Sequence, residues 1–567
     1  MFDKLPASAQ EFMTWEWSRM EPFYYDLASR TLDANTVAGW LADWTRLSAL
    51  VSESYVRLYI ATTLNTADAA AVERFHAFLE TILEPVEAAD QRLKEKLLAS
   101  GLQPEGFEVP LRNLRADADL FREENIPLFT QERKLSTEYD QIIGAQTVQW
   151  EGEERTVMQM QPVFQELDRS RRERAWRLVS ERQLADRPKL NELWGRFMAL
   201  RRQIAANAGF DDYRAFRWQQ LKRFDYTPED CLSFHQAIEQ VAVPAASRLY
   251  ARRRARLGVE TLRPWDLDVD PLGRPPLRPF TTVADLESRT EAIFQQVDPQ
   301  LGAYFSTMRQ EKLLDLDNRK NKAPGGYQID LAVIKRPFIF MNAVGIHDDV
   351  QTLLHEGGHA FHWFECSRLP YAQQWELGTE MAEVASMAME LLAAPYISSD
   401  SGGFYSSADA ARARIEHLET MILFWPYMAV VDAFQHWVYT HHDQAADPAN
   451  CDAQWSALWS RFMPDVDWNG LEDARMTGWH RKLHIFQVPF YYVDYGLAQM
   501  GALQVWRNAL RDQALAVRQY RAALALGGTR PLPELYAAAG AKFAFDADTL
   551  GEVVALVEHT LEALEAA

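Results

Sequence analysis

Residues 355–359 read His-Glu-Gly-Gly-His. On a helix, positions i and i+4 share a face one turn apart, so both imidazoles reach one Zn²⁺ at about 2.0–2.1 Å. Glu356 then sits on an adjacent face, where a carboxylate can act as general base toward a water beside the ion. Spacing and chemistry together predict a helix here. Its expected start is Asp348 as N-cap with Gln351 at N3, a capping-box pattern. Val350, Leu353, Leu354 and Phe361 supply apolar contacts, and Pro370 lies beyond the expected end. Gly357 and Gly358 each cost about 1 kcal/mol relative to Ala inside a helix, which predicts another segment packed close against them. His362 shares the face of the histidine pair. At about 1.5 Å rise per residue it lies roughly 10 Å along the axis from His355, too far to join one small site, so a supporting or packing role is expected.

A catalytic zinc takes a third protein ligand and keeps one position open. Downstream, Glu376, Glu380, Glu383 and Glu390 are spaced by 4, 3 and 7 residues, one stripe of a helix whose other residues (Met381, Val384, Ala385, Ala388, Leu391, Leu392) are apolar. A buried carboxylate stripe is costly unless paired or metal-bound. Periodicity alone does not choose the ligand among the four.

The elements that must position these groups are mainly helical. The chain has 567 residues, and stretches such as 72–98 and 168–206 carry apolar residues at 3.6-residue spacing. Extended segments are expected at 144–150 with 154–160, and at 326–341, where β-branched and aromatic residues mix. Residues 263–280 read as a long ordered loop, with a second breaker at 322–326. Lys+Arg 59 against Asp+Glu 80 gives a net charge of −21, which excludes nucleic acid and anionic membrane as partners bound through the overall field. The basic runs at 169–177 and 248–256 read as solvated helix faces. Three cysteines, Cys231, Cys366 and Cys451, are too few and too far apart for a disulfide framework or a cysteine zinc site. No apolar run reaches the ~20 residues that span a bilayer, and the first residues lack a basic segment followed by an apolar core. A cytoplasmic location is expected.

HEGGHAFH at 355–362, followed by Glu383-Val-Ala-Ser386, resembles the M3 family of zinc metallopeptidases, whose pattern is HExGHxxH with a downstream ExxS. DNRKNKAPGGYQ at 317–328 is similar to the family's RKxKAPGxY stretch. PFIFMN and DDVQTLLHEGGH, within 337–359, resemble its strand-then-helix entry to the site. HIFQVPFYYVDYGLA at 484–498 resembles the downstream His/Tyr segment of the oligoendopeptidase F branch. The ordered matches run from about 317 to 498, with a looser likeness back to about 170 that includes RQIAANAGFDDY at 202–213.

The resemblance implies a mainly α-helical fold: a large zincin-type peptidase with a deep substrate channel and a small β-sheet beside the HExxH helix. It implies residues 1–165 as an N-terminal helical, lid-like region and 166–567 as the catalytic region. It makes His355, His359 and Glu383 the ligands of one Zn²⁺ per chain and Glu356 the base. Glu390 becomes the acid behind a ligand histidine, raising its basicity. It places His484 and the tyrosines at the scissile carbonyl as oxyanion donors, in the order His484, Tyr492 and Tyr495, then Tyr491. His480 is i−4 from His484, and nothing supports a second metal there.

The function expected is endopeptidase hydrolysis of short oligopeptides, with substrate paired along the 337–342 strand. The alternatives are an exopeptidase of dipeptidase or carboxypeptidase type on the same scaffold, separated by whether a ten-residue peptide is cut internally, and a zinc-containing peptide-binding protein without activity. The intact Glu356 argues against the latter, because a structural zinc needs no base.

Overall fold

A computed structural model describes residues 1–566. Helices dominate, and two small sheets account for the strands among the described residues. In the first sheet, β1 (Thr147–Trp150) and β2 (Glu153–Thr156) form an antiparallel hairpin with Trp150 opposite Glu153. Its two-residue turn, Glu151-Gly152, has φ of 52° and 90°, the left-handed geometry that matches strand twist.

The second sheet holds β3 (Leu314–Asp317), β4 (Tyr327–Leu331) and β5 (Arg336–Ala343) in the order β3-β5-β4. β5 runs parallel to β3 and antiparallel to β4, with Tyr327 opposite Phe340 and Leu331 opposite Arg336. The 326–341 segment is thus two strands joined at residues 332–335. β5, the strand expected to pair with substrate, is central and saturated on both sides. The edge strands are β3 and β4.

Four helices carry the site, α2 (His347–Cys366), α3 (Thr379–Ala393), α4 (Ser407–Thr440) and α5 (Tyr492–Ala509), and the earlier helix α1 (Pro228–Leu257) packs against α4. α2 begins earlier than Asp348. Ile346 precedes its first turn, and Asp349 Oδ2 accepts the backbone N–H groups of Val344, Gly345 and Ile346 at 2.9, 2.7 and 2.9 Å. One carboxylate thereby satisfies the strand-to-helix turn and faces the positive helix end. Gln351 is buried and turns toward His347 instead.

The two glycines of α2 are where helices meet. A Cβ on Gly357 would collide with the Phe294 ring, and one on Gly358 would lie 2.5 Å from Ala385 O and Ser386 Cα. The motif helix and α3 therefore touch backbone to backbone, as the glycine pair predicts. Glu376 precedes α3 and pairs with Lys222, so the helical stripe starts at Glu380.

Residues Phe2 to Leu114 contribute a hydrophobic cluster of their own, rich in Trp40, Trp44 and Phe75. A larger cluster takes residues from Leu120 to Leu561, together with Val56. The helix Val37–Leu64 docks on the second sheet. Its Glu53 Oε2 accepts from Val333 N and Ile334 N at 2.7 and 3.1 Å, and Thr63 Oγ1 lies 2.6 Å from Tyr327 Oη. The basic runs are largely solvated helix faces, as expected, with Arg172 the exception. Arg172 is buried and bonds Asp266 and Trp265 O, while Arg248 and Arg256 pair with Glu558 and Glu565.

Candidate active site

α2, α3, β4 and α5 converge on a cavity of about 250 Å³ lined by His355, Glu356, His359, Glu383, Tyr491 and Tyr495, with Gly326 to Gln328 and Asp330 along its β4 side. His355 and His359, one turn apart on α2, present their rings to Glu383 on α3. Glu383 Oε2 lies 3.2 Å from His355 Nε2 and 3.5 Å from His359 Nε2. One ligand atom from each of the three lies within 4.8 Å of the other two. Two imidazoles and a carboxylate at this spacing fit a divalent cation such as zinc with room for a further ligand.

Each donor is aimed by a neighbour. Glu390, two turns on from Glu383, places Oε1 2.7 Å from His355 Nδ1 and Oε2 2.7 Å from His417 Nε2. A proton on His355 Nδ1 is thereby fixed toward Glu390, which leaves Nε2 free to ligate. Ser386 Oγ donates to Glu383 Oε2 at 3.0 Å and to Glu383 O at 2.9 Å, giving the Ser of ExxS a physical task. Tyr491 Oη donates to Glu383 Oε1 at 2.5 Å. Burial opposes ionisation of Glu383, but His359 and His355 outweigh it and hold the carboxyl below its ordinary range. Burial likewise opposes Glu390, and the hydrogen bonds of His355 and His417 pull it lower.

Glu356 differs from these carboxylates. It is buried, and its Oε2 has no hydrogen-bond partner. Burial pushes its carboxyl above the ordinary range against the pull of His359 and His355. A Cβ on Gly326 would stand 3.5 Å from Glu356 Oε1, so the bare glycine keeps space open between this carboxylate and the free edge of β4.

The downstream segment sorts differently from the expected order. Tyr491 and Tyr495 line the cavity. Tyr492, one residue on along the same helix, points away. Its hydroxyl accepts from Lys482 Nζ at 3.3 Å, and its ring packs on Phe424 and Tyr427. A 100° step per residue separates Tyr491 and Tyr495, which share a face at i and i+4, from Tyr492. His484 Nε2 lies 3.2 Å from Tyr495 Oη. Burial and then Lys482 lower its pKa to about 3, so it is neutral and supports Tyr495. His362 is buried with both ring nitrogens unbonded and makes no hydrogen bond to His355 or His359. His480 bonds Asn191 Oδ1 at 2.8 Å, apart from the site.

His417 and Lys482 have no local sequence signal. His417 lies 27 residues from Glu390 on another helix, and only the packing of α4 against the site brings them together.

The description of peptidase family M3 matches residues 163–554 of the chain. No curated protein sequence matches it significantly. Among solved structures, Pz peptidase A with an inhibitor superposes with a TM-score of 0.91, 26% identical, over 99% of this chain and 99% of its own. A structure described as an oligoendopeptidase F gives 0.91 at 27% identity over 99% and 98%. One so described from Bacillus anthracis str. Ames shares the fold at 0.87 and 24% identity, over 97% and 96%.

Proposed function

We propose, from the premise that the chain belongs to peptidase family M3, that it is a zinc-dependent endopeptidase that hydrolyses internal bonds of short oligopeptides. The observation that carries this reading is the meeting of His355, His359 and Glu383 beside a buried, unbonded Glu356 oxygen. His355, His359 and Glu383 would hold the zinc, which would supply Lewis acidity to the reaction.

The chain's own residues do the rest. An extended peptide adds to the free edge of β4 by backbone pairing, and Gly326 lets its backbone pass close to Glu356. Glu356 takes the proton of the attacking water and hands it to the leaving amine. Its raised affinity for protons suits a group that must both accept and return one. Tyr495, aligned by His484, and Tyr491 offer hydroxyl donors for the oxyanion. The N-terminal helices up to residue 165 act as a lid. They reach the sheet through Glu53 and Thr63 and keep folded proteins from the site.

No helix among the described residues is long and apolar enough to cross a membrane, and the substrates fitted to the site are peptides. The deciding experiment is digestion of a mixed peptide library beside an intact folded protein, with and without chelator, using wild type and Glu356→Gln. The expected result is internal cleavage of short peptides only, abolished by chelator. Glu356→Gln retains zinc with less than about a tenth of wild-type turnover, given the size of general-base effects. Release of terminal residues or dipeptides alone would replace the endopeptidase reading. A fully active Glu356→Gln would remove the base.

A further inference from the structure

A second cluster of metal-ligating side chains lies outside the catalytic cavity. Cys231 on α1 and Asp432 and His436 on α4 each place one ligand atom within 4.8 Å of the other two. His235, one turn after Cys231, holds Nε2 2.8 Å from Asp432 Oδ2. The pattern is Cys-x₃-His on one helix facing Asp-x₃-His on its neighbour, each pair at i and i+4 and so on one face.

All four residues are at most 4% exposed. Their surroundings are aromatic: Phe490 and Trp218 pack on His436, and Phe462 on His235. Within this dry shell, Asp432 Oδ1 and His436 Nε2 have no hydrogen-bond partner. His436 Nε2 does lie 3.3 Å from Asp432 Oδ2, but not in hydrogen-bonding geometry. A buried polar atom left unpaired is costly, and two of them turned into one cluster point to something that would engage both.

We infer that Cys231, Asp432 and His436, with His235 as fourth ligand, form a second divalent-metal site that ties α1 to α4. The chemistry fits zinc. One thiolate and one carboxylate balance the charge of M²⁺ in an apolar interior, and a thiolate with imidazoles selects zinc over magnesium or calcium. Four protein ligands and no open position make a structural site. Binding releases the thiol proton to solvent and exchanges the His235–Asp432 hydrogen bond for coordination. Arg214 Nη1, 3.4 Å from His436 Nδ1, is half-buried and gives up that long contact when Nδ1 carries the proton. The sequence hides such a site, because Cys231 and Asp432 are 201 residues apart, and spacing rules find only local pairs.

The location gives the ion a task. Gln435, beside His436, accepts the Phe490 N–H at 2.7 Å through Oε1. Phe490 has φ of 67° and immediately precedes Tyr491. Pinning α4 at this level holds the turn that delivers Tyr491 and Tyr495 to the cavity.

Zinc content of the full chain, purified with zinc and dialysed, tests the inference independently of the catalytic reading. A His355→Ala/His359→Ala double variant empties the first site and is expected to keep about one equivalent. Adding Cys231→Ser removes it. Cobalt loaded into the double variant is expected to show a near-ultraviolet thiolate-to-cobalt charge-transfer band that Cys231→Ser abolishes. His436→Gln serves as a second variant if Cys231→Ser does not fold, with circular dichroism as the check. A folded double variant that binds no zinc and shows no thiolate–cobalt band overturns the second site, whatever the fate of the first.

Discussion

Glu390 joins His355 and His417 through its two oxygens, each at 2.7 Å. One carboxylate thus sets the orientation of His355, a proposed metal ligand on the motif helix, and ties it to α4. Glu390→Gln keeps the shape but loses the charge that makes His355 a better donor. Loss of such a partner typically lowers metal affinity by about 10–100-fold. The expected order in a zinc titration against a competing chelator is wild type, then His417→Ala, then Glu390→Gln, with Glu390→Ala weakest. Equal affinities across the series would mean that the carboxylate only fills space.

The two faces of α5 separate its tyrosines. Tyr495 lines the cavity with its hydroxyl beside His484, whereas Tyr492 faces Lys482. Removing one oxyanion donor lowers kcat by about 10²–10³-fold. Tyr495→Phe is therefore expected to lose kcat on that scale with KM little changed, and Tyr492→Phe to stay within a few-fold of wild type. Steady-state kinetics on one internally cleaved peptide distinguishes them, and the reverse ranking would restore the order expected from sequence.

What the sequence makes legible follows from how local each relationship is. HExxH is a one-turn geometry, so residue types alone predict its helix and a close contact at its glycines, though not that α3 makes the contact at Gly358. The carboxylate stripe is equally local, but its start differs from the expected one because Glu376 lies before the first helical turn of α3. The cap falls to Asp349 rather than Asp348 because Asp349, one residue on, reaches back to three N–H groups at once. Strand order is not local at all. Nothing in residues 326–341 says that β3, from residues 314–317, takes the other side of β5 and makes β5 central. His417 and the Cys231–Asp432 cluster depend on packing between distant helices and carry no spacing signal.

Gly358 sits where α2 and α3 meet, whereas Gly195, inside the helix Arg187–Asn207, has only open space where a Cβ would point. The same substitution is expected to act in opposite directions. Gly195→Ala gains about 1 kcal/mol of helix propensity and raises Tm. Gly358→Ala drives a methyl into backbone that cannot move aside, and overpacking of this kind costs about 1–3 kcal/mol. It should lower both Tm and zinc occupancy, because Ser386, which holds Glu383, is among the residues struck. Thermal unfolding with metal analysis reads both effects, and an unchanged Gly358→Ala would mean that the helices separate freely.

Asp140 links the N-terminal helices to the segment that carries His484. Its Oδ1 accepts from Gln487 Nε2 at 2.7 Å, and burial, only partly offset by that bond, raises its pKa to about 7. An unfolded Asp titrates at about 3.9, so between these values the folded chain holds a proton that the unfolded chain has released. Stability contributed by this group is therefore full below the unfolded pKa and is lost as pH rises toward about 7, where Asp140 must ionise in an apolar setting. Asp140→Asn preserves an acceptor for Gln487 and cannot ionise. The variant is expected to unfold at a higher temperature than wild type at pH 8, and the difference is expected to shrink at pH 5. A difference independent of pH would show that Asp140 is ionised throughout and that the segment before the tyrosine helix is not under this electrostatic load.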